Sequence, residues 1–202
     1  MKIQIILISL FIFVIGCQSN PKSLGDYEDV NKTFEADEVQ DLEKIVNFFN
    51  ESICESENLE STNVLNCYEQ YFKRMLKAEE TGIVEIQISY EAQEKLMKEI
   101  NPRSFDQIWT YRKTWRKGTD TLEVVDINYD GKYIKFLKEF GKENIKAKYY
   151  AERFEATGDI SPSMFADVLV NYKDYDVRDE RVKLLIAIHY LTQNDQFKVR
   201  EK

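Results

Sequence analysis

The chain has 202 residues, a net charge of −8, 32% charged residues, and only 7 glycines and 3 prolines. A chain of this size can bury a core as one domain or two small ones, and the scarcity of turn residues argues against an all-β or disordered chain. The negative charge sits at the front: residues 26–60 carry twelve Asp and Glu against Lys32 and Lys44, while the chain from Ser61 onward is balanced. That distribution argues against nucleic acid as a partner. It suits a basic protein partner, or more plainly a solvated helix face rich in Glu.

The N-terminus reads Met1, Lys2, then an apolar run from Ile3 to Gly16 that stops at Cys17. A bilayer-spanning helix needs about 20 apolar residues; this shorter run has the form of an export-signal core. Residues Val14, Ile15, Gly16 and Cys17 resemble the lipobox of a bacterial lipoprotein signal peptide, although Ile15 departs from the usual Ala or Ser. The resemblance implies a signal peptide over 1–16 and acylation of Cys17, whose thiol is the nucleophile that takes the diacylglyceryl group. A flexible tether over 17–33 would then join the bilayer to the domain. An ordinary secretory signal and an uncleaved anchor are the competing readings. Two or more acyl chains give stable membrane attachment where one does not. Gln18, in place of an inner-membrane retention Asp, favours the outer membrane.

Cys54 and Cys67 remain, an even pair in a chain read as exported to an oxidising compartment, and a disulfide is expected. Closing that loop contributes roughly 3 kcal/mol in the chain-entropy model; two buried free thiols are the alternative. Apolar residues at helical spacing, Val39, Leu42, Ile45, Val46 and Phe49, predict a helix over 34–53. Leu65, Tyr68, Phe72, Met75 and Leu76 predict a second over 63–80, capped at Gly82. Together they form an antiparallel α-hairpin layer over 34–80, stapled near its turn.

The main helical body is expected over 83–202. Alternation over 83–89 predicts a short strand. Ser89 caps a helix to Ile100, stopped by Asn101-Pro102. Ser104 opens a helix expected to continue to Gly118, with Phe105, Ile108, Trp109 and Trp115 on one face. Residues 122–127 are β-rich. They either form a hairpin with a strand after Asp130-Gly131 or lead into a helix holding Tyr133, Phe136, Leu137 and Phe140; the helix is preferred. Further helices are expected to Gly158, from Ser161-Pro162 through Val170, and over 178–192. The fold class is mainly α, a single helical domain with one or two short β segments.

Chemistry-bearing motifs are few. Asp126, Asn128, Asp130 and Gly131 match the start of a calcium loop, but the closing acid position is Leu137 and the match fails. The stretch 109–117 interleaves Trp109, Tyr111 and Trp115 with Arg112, Lys113, Arg116 and Lys117. Trp109, Tyr111, Arg112, Trp115 and Arg116 are candidates for gripping a glycan or anion. The plainer reading puts the tryptophans in the core and the basic face against the acidic N-terminal helices. His189, the one histidine, lies in an aliphatic run and reads as hydrogen-bonded core. No metal, cofactor or catalytic residue is assigned.

Beyond the signal, the chain resembles small envelope lipoproteins of Bacteroidota type in general style. The expectation is a lipid-anchored envelope protein, held to the bilayer through Cys17, with a non-enzymatic protein-interaction domain. Its partner would be a basic or envelope protein, including the toxin of an immunity-type pair. A glycan- or anion-binding lipoprotein and a carboxylate-dependent hydrolase are the alternatives.

Overall fold

The computed structural model describes residues 22–79, 85–115 and 121–201. Among them are nine α-helices and a two-stranded antiparallel sheet. Packing begins ahead of residue 34: a 3-10 turn at Leu24–Asp26 and helix α1 (Glu28–Thr33) bury Leu24 and Val30. Arg181 holds this segment down. Its guanidinium lies 4.3 Å from the ring centres of both Tyr27 and Phe140 and 3.0 Å from Asp29 Oδ2.

Helices α2 (Ala36–Ser56) and α3 (Val64–Glu79) form the expected hairpin, and the Cys54–Cys67 disulfide staples it beside the turn. Most of the stripe read from the sequence is its buried face, with Phe49, Tyr71 and Phe72 fully enclosed, but Leu65, expected inward, is 48% exposed. Between the two helices Tyr68 donates to Asn50 Oδ1 at 2.9 Å. The acidic face of α2 is partly internal. Glu38 is buried and takes Lys132 Nζ at 2.6 Å, while Asp41 takes Lys44 Nζ at 2.7 Å and the Asn101 N–H at 3.2 Å.

Segment 85–89 is not a strand. Ile86 and Ile88 are buried, so the alternation correctly marks which side chains turn inward. Side chains take the place of a neighbouring strand: Arg74 donates to the Glu85 carbonyl at 3.2 Å and Asn194 to that of Ile88 at 3.4 Å. Residues 83 and 84 of the expected strand, and the cap at Gly82, lie outside the described residues. Helix α4 (Tyr90–Glu99) follows, with Ser89 Oγ accepting from the Ala92 N–H.

The long helix expected from Ser104 to Gly118 is also replaced. Asn101 caps and Pro102 opens a short helix α5 (Pro102–Ile108), after which β1 (Trp109–Trp115) pairs with β2 (Thr121–Ile127). Aromatic and β-branched residues lose side-chain freedom in a helix and pack well on a pleated surface, and "TLEVVDI" supplies a matching partner strand. The β-rich segment 122–127 therefore pairs upstream, not beyond Gly131, and the preferred helix α6 (Lys132–Phe140) follows it. Gly131 is required by close approach: a Cβ there would collide with the Gln107 carbonyl.

Helix α7 (Ile145–Thr157) ends at Gly158 in the left-handed region, φ 69°. Helix α8 (Pro162–Val170) starts at the expected Ser161-Pro162 cap. The last helix, α9 (Glu180–Glu201), extends well past the expected 192. Every residue from Val182 to Gln196 is buried, so α9 is the axis of the domain. It packs on α2 at one side, where Phe49 stacks on Tyr190 at 6.2 Å, and carries β2 at another.

Candidate functional site

Three of the four described aromatic and basic candidates reach the surface on one strand, β1, and α9 explains how that strand is presented. At its start, Trp109 caps α5 through its N–H and is fully buried. The indole N–H donates to Thr192 Oγ1 at 2.9 Å, and that hydroxyl donates on to the Ile188 carbonyl at 2.7 Å. Trp109 is therefore core, as the plainer reading expects. Two residues on, the Tyr111 ring stacks on Phe105 at 5.3 Å yet is 59% exposed; at the far end Trp115 is 72% exposed. Arg116 lies outside the described residues, as does Cys17.

The register sets Tyr111 opposite Val125 and Lys113 opposite Glu123. Val125 donates its N–H to Asp195 Oδ1 at 2.7 Å, and its carbonyl accepts from Gln196 Nε2 at 3.3 Å. The backbone polar groups of Val125 thus point away from β1, which makes Tyr111–Val125 a non-hydrogen-bonded pair. The Asn128 N–H donating to the Ile108 carbonyl at 2.9 Å fits the same phase. It follows that α9 closes the outer edge of β2, while the N–H and C=O of Tyr111 and Lys113 line the outer edge of β1. No described strand pairs with that edge.

Arg112 points to the opposite face. Its Nε lies 2.6 Å from Asp126 Oδ2 and its Nη2 lies 2.8 Å from Asp159 Oδ2. Asp126 also accepts the Ile127 N–H at 2.9 Å, and Asp159 accepts that of Ile160 at 2.7 Å. Burial, and then the charge of Asp159, push Asp126 up to about 6 against the pull of Arg112. This three-residue latch ties the hairpin to the turn between α7 and α8. For Arg112 it corrects the expected pairing with the acidic N-terminal helices; Arg116 and Lys117 lie outside the described residues. An arginine already held by two carboxylates is poorly placed to grip an external anion, and two carboxylates held by one arginine are poorly placed to activate water.

The remaining motifs serve the fold. His189 is buried with its Nδ1 3.1 Å from the Tyr150 hydroxyl, and burial lowers its pKa to about 3, so it stays neutral. In the calcium-like stretch, Asn128 donates to the Asp106 carbonyl at 2.6 Å and accepts from the Asp130 N–H at 3.1 Å, while Leu137 is buried. Among the described residues no group of three or more His, Cys, Asp or Glu is placed to hold a metal ion. The groove along α6 and α7, about 530 Å³, is lined by Lys138, Lys148, Glu152 and Glu155, which pair with one another.

The residues that make this site a site are ones the sequence reading passed over. Thr192, Asp195 and Gln196 lie in a polar stretch that looks like an exposed helix end, yet all are buried. The one signal was the run before them, apolar on every side, which marks a helix enclosed all round. Comparison with protein-family models, with curated proteins and with solved structures finds no match.

Proposed function

We propose that this protein is a lipid-anchored envelope protein whose helical domain docks a partner protein, with the hairpin as its docking element. The observation that carries the reading is the asymmetry of the sheet: one edge closed by α9, the other bearing backbone groups beside exposed Tyr111 and Trp115. Tryptophan, tyrosine and arginine are the residues that most often dominate interface energetics. The occupied Arg112 weighs against an anion as ligand, and the paired Asp126 and Asp159 weigh against a carboxylate-dependent hydrolase.

Attachment rests on Cys17. Among the described residues no helix is long and apolar enough to cross a membrane. From Cys17 to the first buried residue, Leu24, an extended chain spans at most about 25 Å. The Arg181 clamp on Tyr27 and Asp29 then transmits any pull to the body of the domain.

The test uses the full chain in an envelope-bearing bacterial host. Wild type is expected to fractionate with membranes and to start at a lipid-bearing Cys17 in intact-mass analysis, whereas Cys17→Ser is released. A photo-cross-linking residue at position 113 is expected to give a discrete adduct that disappears with Trp115→Ala. The same probe at exposed position 170 should give none. Retention of Met1 without added lipid mass overturns the anchor, and identical adducts from both positions overturn the docking site.

A further inference from the structure

Resting on the docking reading above, we infer that β1 is a strand-addition site for an extended, acidic segment of a partner protein. The outer edge of β1 presents the N–H and C=O of Tyr111 and then of Lys113, the alternate pattern that an added strand pairs with. The aromatic rings of Tyr111 and Trp115 share a face with Lys113, because alternate residues of a strand point the same way. Residues of an incoming strand on that face would pack on the two rings, aromatic against β-branched.

Charge decides the occupant. Lys113 is exposed on that edge, whereas Arg112 is already held by Asp126 and Asp159 on the opposite face, in a chain of net charge −8. A strand added to β1 lies about 4.8 Å from it and about twice that from β2. It therefore feels Lys113 more strongly than Glu123 across the ladder, since the Coulomb energy falls with separation. A second copy of β1 paired about Lys113 would bring that lysine against its own like, which destabilises cross-strand pairs. The same charge that discourages self-pairing at an open edge thus selects an acidic strand. Of the acids near β1, Asp126 and Asp159 are held by Arg112, and Asp195 accepts the Val125 N–H on the far edge of β2.

The test titrates the full chain in detergent micelles with a capped nonapeptide alternating Val or Thr with Glu. Two controls accompany it: the same peptide with Lys for Glu, and one N-methylated on the amides of one edge. The acidic peptide is expected to slow amide exchange at Tyr111 and Lys113, to shift Trp115 fluorescence, and to bind roughly tenfold tighter than the Lys peptide. N-methylation should abolish binding, and Lys113→Glu should reverse the charge preference without unfolding an exposed position. Unprotected amides, equal binding of the N-methylated peptide, or protection of both amides by dimerisation without peptide each overturn strand addition. If position 113 still cross-links a partner, docking itself survives such a result. If no partner is cross-linked, the docking reading falls with it.

Discussion

The two strands of the hairpin are equally long and hydrogen-bonded to each other, yet they belong to different parts of the molecule. In β2, Val124, Val125, Asp126 and Ile127 are all buried and the outer edge is closed by Asp195 and Gln196. In β1 only Trp109 is buried, and from Thr110 to Trp115 the strand runs along the surface. The contrast separates two demands on one sheet. Burial obliges every backbone group of β2 to find a partner, and α9 spends two polar side chains, Asp195 and Gln196, within the core to meet that need. Solvent imposes no such demand on β1, which leaves its edge open for another chain.

The two tryptophans at the ends of β1 give the sharpest way to break that comparison. Trp109 sits at the start of the surface strand but belongs to the core, so Trp109→Ala is expected to cost about 3–5 kcal/mol by chemical denaturation. Trp109→Phe keeps most of the apolar volume but removes the hydrogen bond the Thr192 hydroxyl accepts, at a cost of about 1–2 kcal/mol. If either variant unfolds as easily as wild type, the buried end of the strand is misplaced.

Closing the β2 edge is the next largest effect. Asp195→Ala removes the acceptor of the Val125 N–H at 2.7 Å and leaves that amide buried without its partner. A loss of about 2–3 kcal/mol is expected, with faster amide exchange at Val125 and little change at Tyr111 or Lys113. Equal acceleration on both strands would show that the edges are not distinct.

The latch between the strands responds to pH. Asp126 is pushed up to about 6, above its unfolded value near 3.9. Its protonated form favours the folded state, so this contribution is whole below about pH 4 and is lost as pH rises through about 6. Asp126→Asn, which does not titrate, should gain on wild type by about 2 kcal/mol between pH 4 and pH 8. His189 acts the other way. Its pKa is lowered to about 3, so its contribution is whole above about 6.5 and lost as pH falls toward 3. The difference between variant and wild type isolates Asp126, because His189 is common to both.

What could be read from the sequence follows the same division. Periodicity gave α2, α3 and α6 because each has one apolar face and signals its ends locally, and Ser161-Pro162 marked α8 for the same reason. The Cys54–Cys67 staple followed from an even pair of cysteines read as exported. The hairpin was hidden because β1 has hardly a buried face: Trp109 and Trp115 fall on one side of a helix as readily as of a strand. What selects the strand is the partner after the turn, which is non-local information. Asp195 and Gln196 were hidden for the converse reason, since polar residues are buried only when something distant needs them. The latch of Arg112, Asp126 and Asp159 joins three separated segments, and no spacing along the chain announces it.

The smallest expected effect on stability tests the functional half of the comparison. Trp115 is 72% exposed at the open end of β1, so its ring shields little apolar area from water in the isolated domain. Trp115→Ala should change stability by less than about 0.5 kcal/mol, while removing the cross-linked adduct at position 113 and weakening the acidic peptide. A large exposed tryptophan that costs nothing to remove from the fold but disables binding is a residue kept for a partner. A destabilisation of about 2 kcal/mol or more would instead make Trp115 part of the packing, and the open edge would then lose its aromatic anchor.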